Sequence, residues 1–211
     1  MGFMISHLPK EGSPPFTRLK IRPMEIEDIP VVAEMHRDVC PELPYSREDI
    51  AHDLNNHEII MRVAEADEKV SGFGSLEIDR PRGPWRRSGH FNNLIVGKNY
   101  QGWNIGPSII YHLTTFGVST VGIDLLEARV LYENRRSRLL LSELWFTEVG
   151  ERSTWRFPNG KEKTVLHLGV RHVQRSDFHQ HLTRMNDSLG RKLRLNGIYF
   201  INYQENRQSV S

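Results

Sequence analysis

Between the apolar run Leu94-Ile95-Val96 and the helical stripe Ile109, Ile110, Leu113 and Phe116 stands the stretch Asn99-Tyr-Gln-Gly-Trp-Asn-Ile-Gly-Pro-Ser108. A strand ending at Val96 and a helix beginning near Pro107 leave the intervening amides without internal partners. Those amides, with the positive end of the helix dipole, make a site for an anion. Gly102 and Gly106 let a ligand approach the main chain, and Asn104 is the non-glycine type that most readily takes a positive φ. Pro107, lacking an amide hydrogen, suits the first helical position. The stretch reads as a diphosphate cradle, although an ordinary glycine turn would use the same residues. No Gly-Lys-Ser/Thr follows as in a P-loop, and the three-glycine dinucleotide fingerprint with its acidic ribose partner is missing.

Other chemistry is less well supported by spacing. The ten histidines include His179-x-His181 and the pair His167 and His172, but they lack cysteine partners and the His-Glu-x-x-His pattern, so no metal site is expected. Cys40 is the single cysteine, which excludes an internal disulfide and fits a reducing compartment, so a cytoplasmic location is expected. No apolar run reaches the ~18 residues of a membrane helix, and the N-terminus does not resemble a secretory signal. Arginines cluster at 80, 82, 86 and 87 and again at 135, 136 and 138. Such clusters suit the phosphates of a small cofactor, with nucleic acid as the weaker alternative.

The elements that must position the cradle follow from periodicity. Residues 1–17 read as a loose arm. Leu19 to Ile21 alternates as a first strand, and a helix follows with Asp28 as its N-cap and Pro30 in its first turn. Ser46 with Asp49 forms a capping box for a second helix through about Asn55. Strands are predicted for Ile59–Ala66 and Val70–Ile78, joined by a turn at Asp67-Glu68-Lys69, and for His90–Val96 after a basic loop. Leu125–Leu131 is the next strand, and Asn134 caps a helix through Leu144. A hairpin spans Glu148–Phe157 and Thr164–Val170. A helix over Ser176–Arg194 and a strand-like Ile198–Tyr203 end the chain; that strand needs a sheet edge, in this subunit or another, so a homodimer through the extension is one expectation. The order implies an α/β fold: a mixed, mostly antiparallel central sheet with helices on both faces. Residues 18–173 form the domain and 174–211 a helix-strand extension.

From about Leu19 to Val173, and most strongly from Phe91 to Gly150, the sequence resembles the GCN5-related N-acetyltransferase superfamily. Its acyl-CoA motif, Gln/Arg-x-x-Gly-x-Gly/Ala after a strand, is matched by Gln101-Gly102-Trp103-Asn104-Ile105-Gly106, with Asn104 in place of the first required glycine. Its second motif is matched by Asn134 and by Leu140 to Gly150 at the family's Asn-to-Phe spacing. The resemblance implies splayed fourth and fifth strands. Leu94, Ile95 and Val96 would pair with the pantetheine arm of acetyl-CoA there, amides from Gly102 to Pro107 would hold the pyrophosphate, and Asn134 would lie beside the thioester. Arg135 or Arg138 is placed to reach the outer phosphates. Trp103 could stack on the adenine, or simply pack the helix start.

The same comparison exposes two departures. The family's thiolate-protonating Tyr corresponds to Leu141, and a Glu base used by some members corresponds to Arg129. A third position, a Glu on the fourth strand in another branch, corresponds to His90. Histidine's ordinary pKa of ~6.5 suits a base for an amine. Glu77 and Asp79 are the alternatives for the base, and Ser142, Tyr132 or a water for the acid. The implied function is transfer of an acetyl or other acyl group from acyl-CoA to a primary amine of a small molecule or protein. The alternative is a catalytically weak acyl-CoA-binding regulatory module of the same fold.

Overall fold

Alternation along Arg18–Pro23 (β1) puts Leu19 and Ile21 on one face, where both are fully buried. The computed structural model describes residues 12–43, 45–79, 87–171 and 173–202. The arginine loop holding Arg80, Arg82 and Arg86, and also His172, lie outside them. After β1 come a 3-10 turn at Ile26–Asp28 and two helices, Ile29–Val39 (α1) and Arg47–Leu54 (α2). Three strands follow: Ile59–Ala66 (β2), Lys69–Asp79 (β3) and Arg87–Val96 (β4). Helix Ile105–Phe116 (α3), strand Ile123–Leu131 (β5) and helix Arg135–Glu143 (α4) form the central crossover. Strands Thr147–Glu148 (β6), Ser153–Arg156 (β7) and Glu162–Arg171 (β8), helix Ser176–Leu195 (α5) and strand Tyr199–Asn202 (β9) complete the chain.

The sheet runs β6-β8-β5-β4-β3-β2-β1-β9, with β7 also on β8. Among the described strands only β4–β5 and β1–β9 are parallel. One core lies under α3, α4 and α5, with Leu76, Phe91, Ile109, Leu126 and Phe178 among its members. The other lies under α1 and α2, around Val32, Ile50, Phe73 and Ile95. Helices therefore cover both faces, as the element order implies. No helix among the described residues is long and apolar enough to cross a membrane.

Local signals translate directly into local structure. Ser46 Oγ accepts from the Asp49 amide at 3.0 Å, and the Asp49 carboxylate accepts from the Ser46 amide at 3.1 Å. Asp67 and Glu68 take φ of 44° and 68°, the positive values that a two-residue hairpin turn demands. The Asp67 carboxylate also holds the amides of Thr17 and Arg18 at 2.9 and 2.8 Å. With Phe16 only 2% exposed, the end of the arm expected to be loose is anchored in the core.

Two other expectations change, and the choice left open for the last strand falls on this subunit. Asp28 does not cap α1 with its side chain; it closes the preceding 3-10 turn by accepting from the Glu25 amide at 2.9 Å. The hairpin strand expected from Glu148 is broken into β6 and β7 around Gly150, whose φ is 73°. β9 finds its edge within the chain, against β1. Leu182, Leu189 and Leu193 of α5 join the core under α3, so the extension completes this sheet.

Asp28 also anchors the first helix electrostatically. Arg22 donates to both of its carboxylate oxygens at 2.7 and 2.9 Å, with side-chain exposures of 15% and 8%. Burial would raise this carboxyl; the Arg22 guanidinium and the Glu25 amide outweigh it and hold Asp28 below its ordinary value. A group depressed in the folded state contributes stability above its unfolded pKa, and that contribution drains away as pH falls through the lowered value. Asp28→Asn should therefore cost about 1.5–3 kcal/mol near neutral pH and less as pH falls, read from urea midpoints across a pH series.

Candidate active site

The site begins where the sheet comes apart. β4 and β5 pair in parallel from Arg87 and Ile123 only as far as Phe91 and Ala128. Beyond that point β4 continues on β3 to Val96, and β5 continues on β8 to Leu131. A bulge loosens β4 just there: Ser75 stands opposite Asn93 and Leu76 opposite Phe91, leaving Asn92 as the extra residue. The result is a V-shaped gap, as implied for the fourth and fifth strands. It opens into a cleft of about 760 Å³ whose walls include Leu94, Ile95, Asn134 and Leu141.

At one end of the gap lies the cradle. Asn104 has φ 62° and Gly102 φ 88°, so both left-handed positions are taken by residue types suited to them. The first intrahelical bond of α3 is donated by Ser108 to the Asn104 carbonyl at 3.1 Å. The amides of Ile105 and Gly106 precede it and have no place in the helix ladder. α3 starts two residues earlier than the sequence implied, so Pro107 is its third residue and contributes no amide. Trp103 is 3% exposed and belongs to the core; its indole packs the helix start, which leaves its main chain for a ligand.

Gln101 ties the cradle to both sides of the gap. Its Nε2 donates to the Val96 carbonyl at 3.1 Å, and its Oε1 accepts from Arg136 Nη1 at 3.1 Å. Arg136, between the two arginines singled out from sequence, is thus the one joined to the cradle. Arg138 instead lies over the Tyr132 ring at 4.8 Å. Asn134 caps α4, its Oδ1 accepting from the Ser137 amide at 3.1 Å. Leu94 and Val96 pack toward α3, and Ile95 toward α1.

The cleft wall is otherwise polar, with Arg129 as well as carboxylates on it. His90 and Asn93 share a wall with Glu58, Glu77 and Asp79. Asn92 Nδ2 donates to Glu77 Oε2 at 2.7 Å. His90 Nε2 lies 3.1 Å from Glu127 Oε2, a partner no sequence motif indicated. From α1, buried His36 faces the cleft; burial pushes its pKa down, against the opposing hydrogen bond to Asn93. Tyr45 donates to Asp53 at 2.5 Å, and burial followed by that carboxylate pushes its hydroxyl well up, so it stays protonated.

The proton donors considered from sequence are not assembled here. Leu141 is 4% exposed and forms an apolar part of the wall. Ser142 points elsewhere: it is exposed, and its hydroxyl donates to the Leu139 carbonyl at 2.8 Å. The physical reason is helical period, since a neighbour of an inward residue is rotated ~100° away. Tyr132 lies between Arg138 and Arg152 at 4.8 and 5.3 Å, outside the cleft wall. No group of metal-ligating side chains occurs among the described residues.

A parallel pair that parts over a helix-start anion site, with a carboxylate-lined cleft behind it, defines an acyl-CoA transferase type of architecture. The sequence pattern of the Acetyltransferase (GNAT) family matches residues 26–144, and the chain belongs to that family. Among solved structures, Arabidopsis thaliana NAA60 in complex with acetyl-CoA is similar at 18% identity and a TM-score of 0.64, over 72% of this chain and 98% of that one. The Escherichia coli ribosomal-protein-S18-alanine N-acetyltransferase gives 17% and 0.62, over 73% and 94%. A dodecameric spermidine N-acetyltransferase from Vibrio cholerae gives 20% and 0.61, over 74% and 95%. No curated protein matches the sequence.

Proposed function

We propose that the protein transfers an acetyl group from acetyl-CoA to a cationic primary amine, carried by a small molecule or a protein, by direct attack. The observation that carries this reading is the parting of β4 and β5 between two polar regions: the start of α3, to which Gln101 joins Arg136, and a cleft wall that holds Glu58, Glu77 and Asp79 together with His36, His90 and Arg129. An anionic donor and a cationic acceptor would then enter from opposite sides and meet where the strands part. The named substrates of the similar structures, an alanine of a ribosomal protein and spermidine, are amines too.

The residues present fit the donor. The open edge of Leu94, Ile95 and Val96 offers main-chain groups to its amide-bearing arm. The amides around Gly102 to Gly106 and the Arg136 guanidinium suit its diphosphate, and Asn134 lies beside the acyl end. Acetyl-CoA supplies the activated thioester. His90 takes a proton from the ammonium to free the nitrogen lone pair, the amine forms the new C–N bond as the C–S bond breaks, the second proton leaves nitrogen to water, and the departing sulfur is protonated from water.

Calorimetric titration with acetyl-CoA should give micromolar binding. Release of free thiol with a panel of diamines and N-terminal peptides should then exceed that with neutral amides. Leu141 in the cleft wall favours the second reading, a regulatory acyl-CoA-binding module; tight binding without turnover on any amine would decide for it. Absence of both binding and turnover would remove both readings.

A further inference from the structure

We infer that Glu127 is a positioning residue for His90: its carboxylate selects the imidazole tautomer that leaves Nδ1 as the proton acceptor at the apex of the cleft. The inference rests on the reading of His90 as the base.

Parallel pairing places the side chains of opposed residues on the same face of a sheet. His90 stands opposite Glu127, one pair before the last contact between β4 and β5 at Phe91 and Ala128. The two side chains therefore meet where the strands begin to part. Both are partly exposed, at 29% and 33%, with Nε2 and Oε2 3.1 Å apart. On the other side of β4, the antiparallel register sets Glu77 opposite His90. That carboxylate is engaged by Asn92, the extra residue of the bulge, at 2.7 Å. Two carboxylates thus flank the histidine, and the one on the ring is Glu127. Across β5 from Glu127 stands Gly169, which has no side chain to draw the carboxylate away.

The consequence for the ring is chemical. A neutral imidazole carries one N–H, and an ionised carboxylate only accepts. With Glu127 at Nε2, the hydrogen is held there and the lone pair is left on Nδ1. When Nδ1 takes a proton from the acceptor amine, both nitrogens carry hydrogen and the contact to Glu127 becomes a charge-assisted bond. Because both residues sit on strands tied into the sheet, the ring is oriented before substrate arrives. A glutamine at 127 would offer an amide that can donate to Nε2 and so favour the opposite tautomer.

The test combines a spectrum with kinetics. In the ligand-free protein labelled with ¹⁵N-histidine, at a pH high enough to keep the ring neutral, the His90 signals, assigned by their loss in H90A, should show the hydrogen on Nε2; Glu127→Gln should shift them toward the other tautomer. With acetyl-CoA and the best amine, E127Q should lower kcat about 10- to 100-fold, the range typical of outer partners of functional histidines. KM for both substrates should hold within about twofold, E127D should recover part of the loss, and E127Q should cost nothing further in the H90A background. A ring protonated at Nδ1 in the unsubstituted protein would overturn the inference. So would an E127Q penalty of equal size with and without His90. Loss of turnover in H90A with none in E127Q would overturn this role alone, whereas full turnover in H90A would overturn the base assignment and this role with it. Should E127Q fail to fold, E127D and the spectrum of the unsubstituted protein carry the decision.

Discussion

With His90 replaced by alanine, amine acetylation should fall about 10²- to 10⁴-fold in kcat, the contribution of one positioned general base, while acetyl-CoA affinity stays within about twofold. The separation of these two effects comes from geometry. His90 lies in the paired part of β4, before the strands part at Phe91 and Ala128, and the edge proposed for the donor, Leu94 to Val96, lies beyond it. No donor contact passes through the imidazole in this arrangement. The measurement is steady-state kinetics beside calorimetry on the same preparation. Equal losses in kcat and in donor affinity would mean that His90 shapes the donor site, and an unchanged kcat would remove it from the chemistry. Glu77 is the next carboxylate along the wall, and the comparison with Glu77→Gln decides between them. Its engagement by Asn92 at 2.7 Å argues for the smaller effect, since the oxygen held by Asn92 is not free to meet the acceptor amine.

Among the described residues considered as the acid, Leu141 has no proton, Ser142 faces away and Tyr132 lies between two guanidinium groups. A thiolate is a tolerable leaving group, so the proposed reaction takes the proton for sulfur from water. In the proposed reaction Leu141 would give the acyl group an apolar wall.

How much of this was legible in the sequence depends on the range of the interaction that decides each feature. The capping box at Ser46, the hairpin turn at Asp67-Glu68 and the left-handed Asn104 are set within four residues, and each was readable from residue type. The start of α3 was misplaced by two residues because Pro107 is acceptable at any of the first positions, and the Asn104 turn determines where the helix begins. The inward face of α4 was available from its period: Leu140, Leu141 and Leu144 are buried, which by itself turns Ser142 outward. Glu127 was not readable. Its pairing with His90 depends on the register of two parallel strands separated in sequence by the whole of α3, and register is fixed by distant packing. The partner of β9 has the same origin, since β1 lies at the opposite end of the chain.

Alanine at Gly74 should destabilise the fold by about 1–3 kcal/mol, and valine by more, through overpacking at a contact that has no slack. A Cβ built there would come within 2.6 Å of Ile109 Cγ2 and 3.2 Å of Leu113 Cδ1, so α3 lies directly on the backbone of β3. The neighbouring Gly72 makes the same approach, its Cβ falling 2.9 Å from both Ile105 Cγ2 and Ile109 Cδ1. Ile105 is the first residue of α3, so a helix pushed off this surface carries the cradle away from Val96 and the open edge of β4. Gly74→Ala should consequently weaken acetyl-CoA binding even though residue 74 touches no ligand. Urea unfolding should show a lower midpoint with an unchanged slope, and calorimetry a parallel loss of affinity. Shortening Ile109 to alanine in the same chain should recover part of both, because the added and the removed methyl groups occupy the same space and their effects cannot be additive. Strict additivity, or a full loss of stability with donor affinity untouched, would mean that the seat of α3 on these glycines does not place the cradle.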